Sequence, residues 1–405
     1  MQIIVRRFIM ELTQKQKEGL EIALQRYKEN KKYTVIAGYA GTGKSTLVRF
    51  IVDAFKEFGV EEKDVVFTSF TGKATQVLQR KGNKNVSTLH KLLYDWKMTT
   101  EGKYIKIPLE SIPYKVVIVD EISMVPNELL QQLATHDVYV LCLGDPYQLP
   151  PINKNEDNHL LDNPHIFLDE IMRQAAESEI IQLTMKIRNG EKIEPFRGKE
   201  VQILNRNELS TGMLMWADQV ICAKNNTRIA LNAQMRELLG RTGAPQDGDK
   251  VICLRNDWDT ISNTENPLVN GTVGTIHNLY NTYIIMPPFI TKGRMRKLDY
   301  LAANFINDDG DNYGILALDK KLFDGDEPTI SSYESYKLSG YKPLNNFTLE
   351  NFTYGYAITA HKSQGSEWNR VLVVEENFPF NKEEHARWLY TACTRASEKL
   401  VLILS

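Results

Sequence analysis

At 405 residues, 42% hydrophobic and 25% charged, the chain has the make-up of a globular protein of roughly two or three domains, and no apolar run reaches the ~18 residues of a membrane span. A formal net charge of −2 excludes a globally basic surface, so any nucleic-acid contact has to come from a local groove. Four scattered cysteines, Cys142, Cys222, Cys253 and Cys393, contain no C-x-x-C pair, which excludes a zinc ribbon or disulfide framework and leads us to expect a reducing, cytoplasmic setting.

The opening "MQIIVRRFIM" is a poor signal peptide, because two arginines break its apolar stretch. Organised sequence begins at "ELTQKQKEGL", with Met10 as an alternative start. Short β-branched runs then alternate with helical patterns. "YTVIA" (33–37), "DVVFTSF" (64–70), "YKVVIVDE" (114–121) and "DVYVLCLGD" (137–145) predict buried strands of a parallel sheet covered on both faces. Between the second and third of these, "LYDWKMTTEGKYIKI" (93–107) has the pattern of a β-hairpin, carrying Trp96 and Tyr104. A second α/β pattern starts near Ser178 and includes "DQVICAKN" and "TRIALNAQMRELLG". From about 244 to 350 the chain turns rich in Gly, Asp, Asn and Tyr, which predicts a small β module. The α/β pattern resumes with "YGYAITAHKSQG", "NRVLVVEE" and "EKLVLILS", so the module is expected to be an insertion.

The chemistry gathers in three places. Residues 38–46, "GYAGTGKST", meet G-x-x-x-x-G-K-[ST] through Gly38, Gly43, Lys44 and Ser45. Such a loop turns successive N–H groups toward phosphates at a helix N-terminus, with Gly41, Thr42, Gly43 and Thr46 completing the cradle. Lys44 is expected to reach the β- and γ-phosphates, and Ser45 to hold Mg²⁺. In "VVIVDE", Asp120 is the second Mg²⁺ candidate and Glu121 the group that polarises water, an arrangement suited to hydrolysis. In "LGDPYQLPPI", the neutral amide of Gln148 can bond both a γ-phosphate oxygen and a water, and so report the γ-phosphate.

With "DEISM" followed by "GDPYQLPP", the chain resembles superfamily 1 helicases of the 5′→3′ branch that includes RecD and Dda. Further motifs follow in that family's order: "LTQKQKEGLE", "FTSFTGKATQVL", "STLHKLL", "DEIMRQAAESEII", "YAITAHKSQGSEW" and "WLYTACTRASEKL". One departure is Phe70, where the family usually has proline.

The resemblance implies two RecA-like parallel-sheet domains, a hairpin inserted in the first and a small SH3-like barrel in the second. The expected boundaries are 1–177 with the hairpin at about 93–112, then 178–243 with 351–405, and the barrel at 244–350. It places Gln16 on the adenine, Glu367 on the ribose, and Arg173 and Arg395 as arginine fingers. Thr71, Thr88, His90, His361 and Ser363 become nucleic-acid contacts, and Trp96 or Tyr104 the aromatic that meets the duplex. The implied activity is ATP-dependent strand separation with Mg²⁺, moving 5′→3′ on single-stranded DNA and at junctions with duplex, in replication, recombination or repair. Single-strand-binding or replication proteins would be its partners, in a bacterial or phage-infected cytoplasm and with no membrane. With little sequence beyond the motifs, no nuclease or relaxase domain is expected. The rival readings are an ATP-gated clamp or loader and an RNA helicase.

Overall fold

The structure is a computed structural model and describes residues 12–98, 104–150, 158–264, 266–344 and 347–405. Two compact units emerge, one of Met1–Tyr94, Pro108–Lys224 and Thr359–Ser405, the other of Asp95–Ile107 and Asn225–Ile358.

The first unit contains two largely parallel sheets. In one, the strands lie in the order Val86–Thr88, Val65–Ser69, Val116–Asp120, Tyr139–Gly144, Tyr33–Gly38 and Ile166–Leu168. Successive side chains of a strand point to opposite faces. Val116 and Ile118 therefore enter one core with Leu47, Ile51 and Phe55, while Val117 and Val119 enter another with Leu89, Leu129 and Cys142. Both faces are covered, which is why these runs read as continuously apolar.

The helix Lys44–Phe55 buries Leu47, Val48, Ile51, Ala54 and Phe55 at helical spacing. Each of its large side chains contributes on the order of 1.5–3 kcal/mol through burial. All the long strands of this sheet run the same way, so Gly38, Ser69, Asp120 and Gly144 end on one edge. The loop that follows each end carries a candidate site residue.

The second sheet of this unit includes, in order, Gln219–Cys222, Trp368–Val374, Ala396–Ile403 and Val201–Leu204, with the antiparallel Phe196–Arg197 beyond. The helix Lys382–Cys393, capped by Asn381, buries Trp388, Leu389 and Tyr390. Its end leads straight into Arg395.

The other unit holds the β module as a barrel-like sheet, ordered Leu349–Glu350, Asn312–Leu318, Arg296–Asn307, Val273–Met286, Lys250–Cys253 and Phe352–Tyr354. The runs "GTVGTIH" and "TYIIM", which read as two strands, form one long strand, Val273–Met286, with a register shift between His277 and Tyr280. Phe305, Phe352 and Leu318 fill the barrel. A buried pair, Arg236 to Asp249 at 3.1 Å, ties the helix Asn225–Leu238 to the sheet, and the Tyr356 hydroxyl donates to the same carboxylate at 2.8 Å. The predicted hairpin is present as Tyr94–Met98 paired with Tyr104–Pro108; its "TTEG" turn lies outside the described residues.

Candidate functional site

The phosphate loop curls because Gly41 and Gly43 both take φ of 77°, a left-handed conformation that suits glycine. A Cβ on Gly43 would also stand 2.4 Å from Gln16 Nε2. Gln16 is fully buried: its Oε1 accepts from Thr13 N at 3.0 Å and its Nε2 donates to Gly43 O at 3.2 Å, so it braces the loop. Thr42 is buried and its hydroxyl donates to Tyr39 O. Lys44 Nζ lies across its own loop, donating to Gly38 O at 2.7 Å and Tyr39 O at 3.0 Å. Ser45 is exposed and Thr46 half-buried at the start of the helix.

Glu121 follows Asp120 directly and sits in the left-handed region, φ 54° and ψ 46°, a costly geometry for a non-glycine residue. Asp120 Oδ1 accepts Glu121 N–H at 2.9 Å. Loss of surrounding water, and then the Asp120 charge, raise the Glu121 pKa; Arg395 and Lys44 pull it back.

Gln148 joins Glu121 to Arg395. Its Nε2 donates to Glu121 Oε2 at 3.1 Å and its Oε1 accepts from Arg395 Nη2 at 3.3 Å. A carboxylate can only accept and a guanidinium can only donate, so the amide has one orientation available here. Arg395 is buried, its Nε donating to Thr391 O at 3.0 Å and its Nη1 to Ser366 O at 3.3 Å. A side chain that follows the last helix of the second sheet thus meets the catalytic candidates at the edge of the first.

Arg173 opens the short helix Arg173–Ala176, just after Met172, whose N–H donates to Gly41 O at 3.0 Å; the Arg173 side chain lies outside the described residues. Glu367 is exposed.

The AAA domain family matches residues 11–209, and the UvrD-like helicase C-terminal domain family matches residues 354–403. The ATP-dependent RecD2 DNA helicase of Deinococcus radiodurans is 28% identical over 396 residues, spanning 90% of this chain and 46% of that protein. The ATP-dependent DNA helicase Dda of Enterobacteria phage T4 is 29% identical over 196 residues, 44% of this chain and 43% of Dda. The solved Pif1 helicase of Candida albicans shares the fold with a TM-score of 0.50 at 18% identity, over 97% of this chain and 94% of that one.

The chain belongs to the superfamily 1 helicases of the RecD and Dda branch. It spans less than half of RecD2 and of Dda. Membership in this helicase family implies that the site binds nucleotide.

The nucleic-acid candidates fall into different settings. Thr71 caps the helix Gly72–Arg80 by accepting from Ala74 N, and it lies against the turn at Gly365, where an added Cβ would be 3.2 Å from Thr71 Oγ1. "FTSFTGK" and "AHKSQG" are therefore neighbours. His90 is half-buried with its ring 5.6 Å from that of Phe70. His361 is half-buried too, and desolvation lowers its pKa.

Two hydroxyls are committed internally. Thr88 is buried and accepts from Lys91 N at 3.2 Å as a helix cap, and Ser363 is fully buried and donates to Ala360 O at 2.8 Å. Trp96 and Tyr104 lie on the two hairpin strands, with side chains outside the described residues. In the basic stretch "TKGRMRK", Arg296 pairs with Glu334 at 3.0 Å, Lys297 with Asp299 at 2.8 Å, and Lys292 stands over the Tyr333 ring.

Sequence reasoning passed over Asp145, Tyr390 and Thr391, although all three lie inside quoted motifs. It also passed over Arg188, whose guanidinium stacks 3.6 Å from the ring centroid of Tyr39 in the phosphate loop. No local pattern announces that contact.

Proposed function

We propose that the chain is an ATP-driven DNA helicase that moves 5′→3′ on single-stranded DNA and separates duplex at junctions. The observation that carries this reading is the continuous run Glu121–Gln148–Arg395, which links the strand-end carboxylate of one sheet to the arginine that follows the last helix of the other. ATP enters the cradle of residues 38–46, and Lys44 exchanges the carbonyls of Gly38 and Tyr39 for the β- and γ-phosphates. Gln16 faces the adenine and Glu367 the ribose. Glu121 orients the attacking water and takes its proton, Gln148 senses the γ-phosphate, and Arg395 and Arg173 neutralise charge as the phosphoryl group leaves.

Ser45 and Asp120 supply hard oxygen donors that fit Mg²⁺, and the bound ion would neutralise phosphate charge. Because Arg395 completes the site only when the two sheets are together, hydrolysis drives an opening and closing stroke. Thr71, Thr88, His90, His361 and Ser363 mark the motifs through which the strand is gripped. The hairpin with Trp96 and Tyr104 acts as the pin that splits duplex, and the barrel closes over the exiting strand. The domains run 1–177, 178–243 with 351–405, and 244–350. The RecD2 and Dda matches support the helicase activity. The four cysteines are free and buried, in keeping with a reducing, cytoplasmic setting. Replication, recombination or repair is the expected context, with single-strand-binding or replication proteins as partners.

ATP turnover measured with single-stranded DNA or RNA, alongside displacement of a labelled duplex strand, tests the reading. Single-stranded DNA is expected to stimulate turnover more strongly than RNA, and the duplex is expected to separate. Stimulation without separation would make the protein an ATP-gated clamp or loader. Equal or greater stimulation by RNA would make it an RNA helicase.

A further inference from the structure

The last turn of the helix Lys382–Cys393 grips the loop that carries Gln148 at three points. Arg395, just beyond it, meets Gln148; the Thr391 hydroxyl accepts Leu149 N–H at 3.0 Å; and the Tyr390 hydroxyl donates to Asp145 Oδ2 at 2.6 Å. Asp145 is almost fully buried, and its other oxygen accepts Tyr147 N–H at 2.9 Å. Tyr390 also reaches the phosphate loop, because its oxygen accepts the Ala40 N–H at 2.9 Å. The Tyr390 side chain is 1% exposed and its ring packs edge-on against Tyr147 at 5.2 Å. Burial, and then the Asp145 charge, hold its hydroxyl protonated.

We propose that Tyr390 is a positioning residue, whose single hydroxyl ties the phosphate loop and the Gln148 loop to the second sheet, so that Gln148 stands between Glu121 and Arg395. The proposal rests on the reading of this cleft as the ATP-hydrolysing site.

The chemistry favours alignment over direct participation. A hydroxyl that accepts one bond and donates another is a fixed two-way link, and its donor goes to a charged acceptor, the stronger kind of hydrogen bond. Asp145 is also held at its other oxygen, and the loop at two further points, so losing the Tyr390 hydroxyl loosens the alignment of the loop without releasing it from the helix end. Ala40 N–H, in turn, loses the partner that fixes its direction. Gln148 lies three residues past Asp145, and its own N–H donates to Asp145 O at 3.2 Å, so a shift of Asp145 moves the relay itself.

Tyr390→Phe is the test, since it removes the hydroxyl and keeps the ring; a thermal melt confirms that the variant is folded. With the full-length protein and single-stranded DNA, kcat for ATP is expected to fall about 10- to 100-fold, with KM changed far less. The decisive comparison is the same substitution in a Gln148→Ala background. If Tyr390 acts through Gln148, it should then cost little more, because the group it positions is gone. An unchanged kcat, a loss confined to KM, or the same factor lost in both backgrounds would overturn the proposal. These readouts are separate from strand displacement: a wild-type protein that hydrolyses ATP but separates no duplex would sink the helicase reading and leave the Tyr390 comparison valid.

Discussion

Arg395→Ala is expected to lower ATP turnover by about 10³- to 10⁵-fold, the range that arginine fingers contribute to phosphoryl transfer. The size follows from where the guanidinium sits. It is buried, and its hydrogen bonds go to the Thr391 and Ser366 carbonyls, the Thr394 hydroxyl and the neutral amide of Gln148. Among the described residues it makes no ion pair, so its charge is held ready for an anion that the protein itself does not supply. A γ-phosphate gaining charge in the transition state is such an anion. ATP binding should weaken far less than turnover, because the cradle and Lys44 belong to the other sheet. Steady-state kinetics with an ATP-binding titration checks this; a loss in kcat below about tenfold would remove Arg395 from the transition state.

Glu121→Gln and Lys44→Ala should both abolish DNA-stimulated hydrolysis, but for different reasons. Glutamine keeps the shape of the side chain and loses the basic oxygen, so ATP should still bind while turnover drops by roughly 10²- to 10⁴-fold. The raised pKa of Glu121 reflects a site short of water, where a carboxylate is a better base than in solution. Lys44→Ala removes the ammonium that now spans Gly38 O and Tyr39 O, and binding should fall with hydrolysis. Nucleotide titration of the two variants separates them. Normal turnover in Glu121→Gln would mean that another group activates the water.

The parts of this account that were legible in the sequence are those that local physics writes locally. Continuous apolar runs announced strands covered on both faces, and the glycine-rich run at 38–46 announced a loop that curls its N–H groups toward phosphates. What was hidden depends on residues far apart in the chain. Ala40 and Tyr390 are 350 positions apart, and Asp145 and Tyr390 are 245 apart, so no window of sequence contains the bridge they form. Thr88 and Ser363 show the opposite difficulty. Their motifs suggested contact with a strand, yet a hydroxyl at a helix start is also a natural cap, and one inside a short helix a natural donor to the preceding turn. The motifs do not show that both hydroxyls are buried, because burial is a property of the folded chain. The long strand Val273–Met286 was read as two because the exposed Asn278, Tyr280 and Asn281 lie where it shifts register.

Direction of travel is the claim that the ATP site alone does not supply, since two sheets that open and close can step either way along a strand. It rests on the resemblance of the motifs to the RecD and Dda branch, and one measurement tests it most directly: strand displacement on duplexes that carry a single-stranded tail at the 5′ or the 3′ end. A 5′→3′ motor separates the 5′-tailed duplex in the presence of ATP and leaves the duplex with only a 3′ tail intact. Efficient separation from the 3′ tail alone would contradict the account.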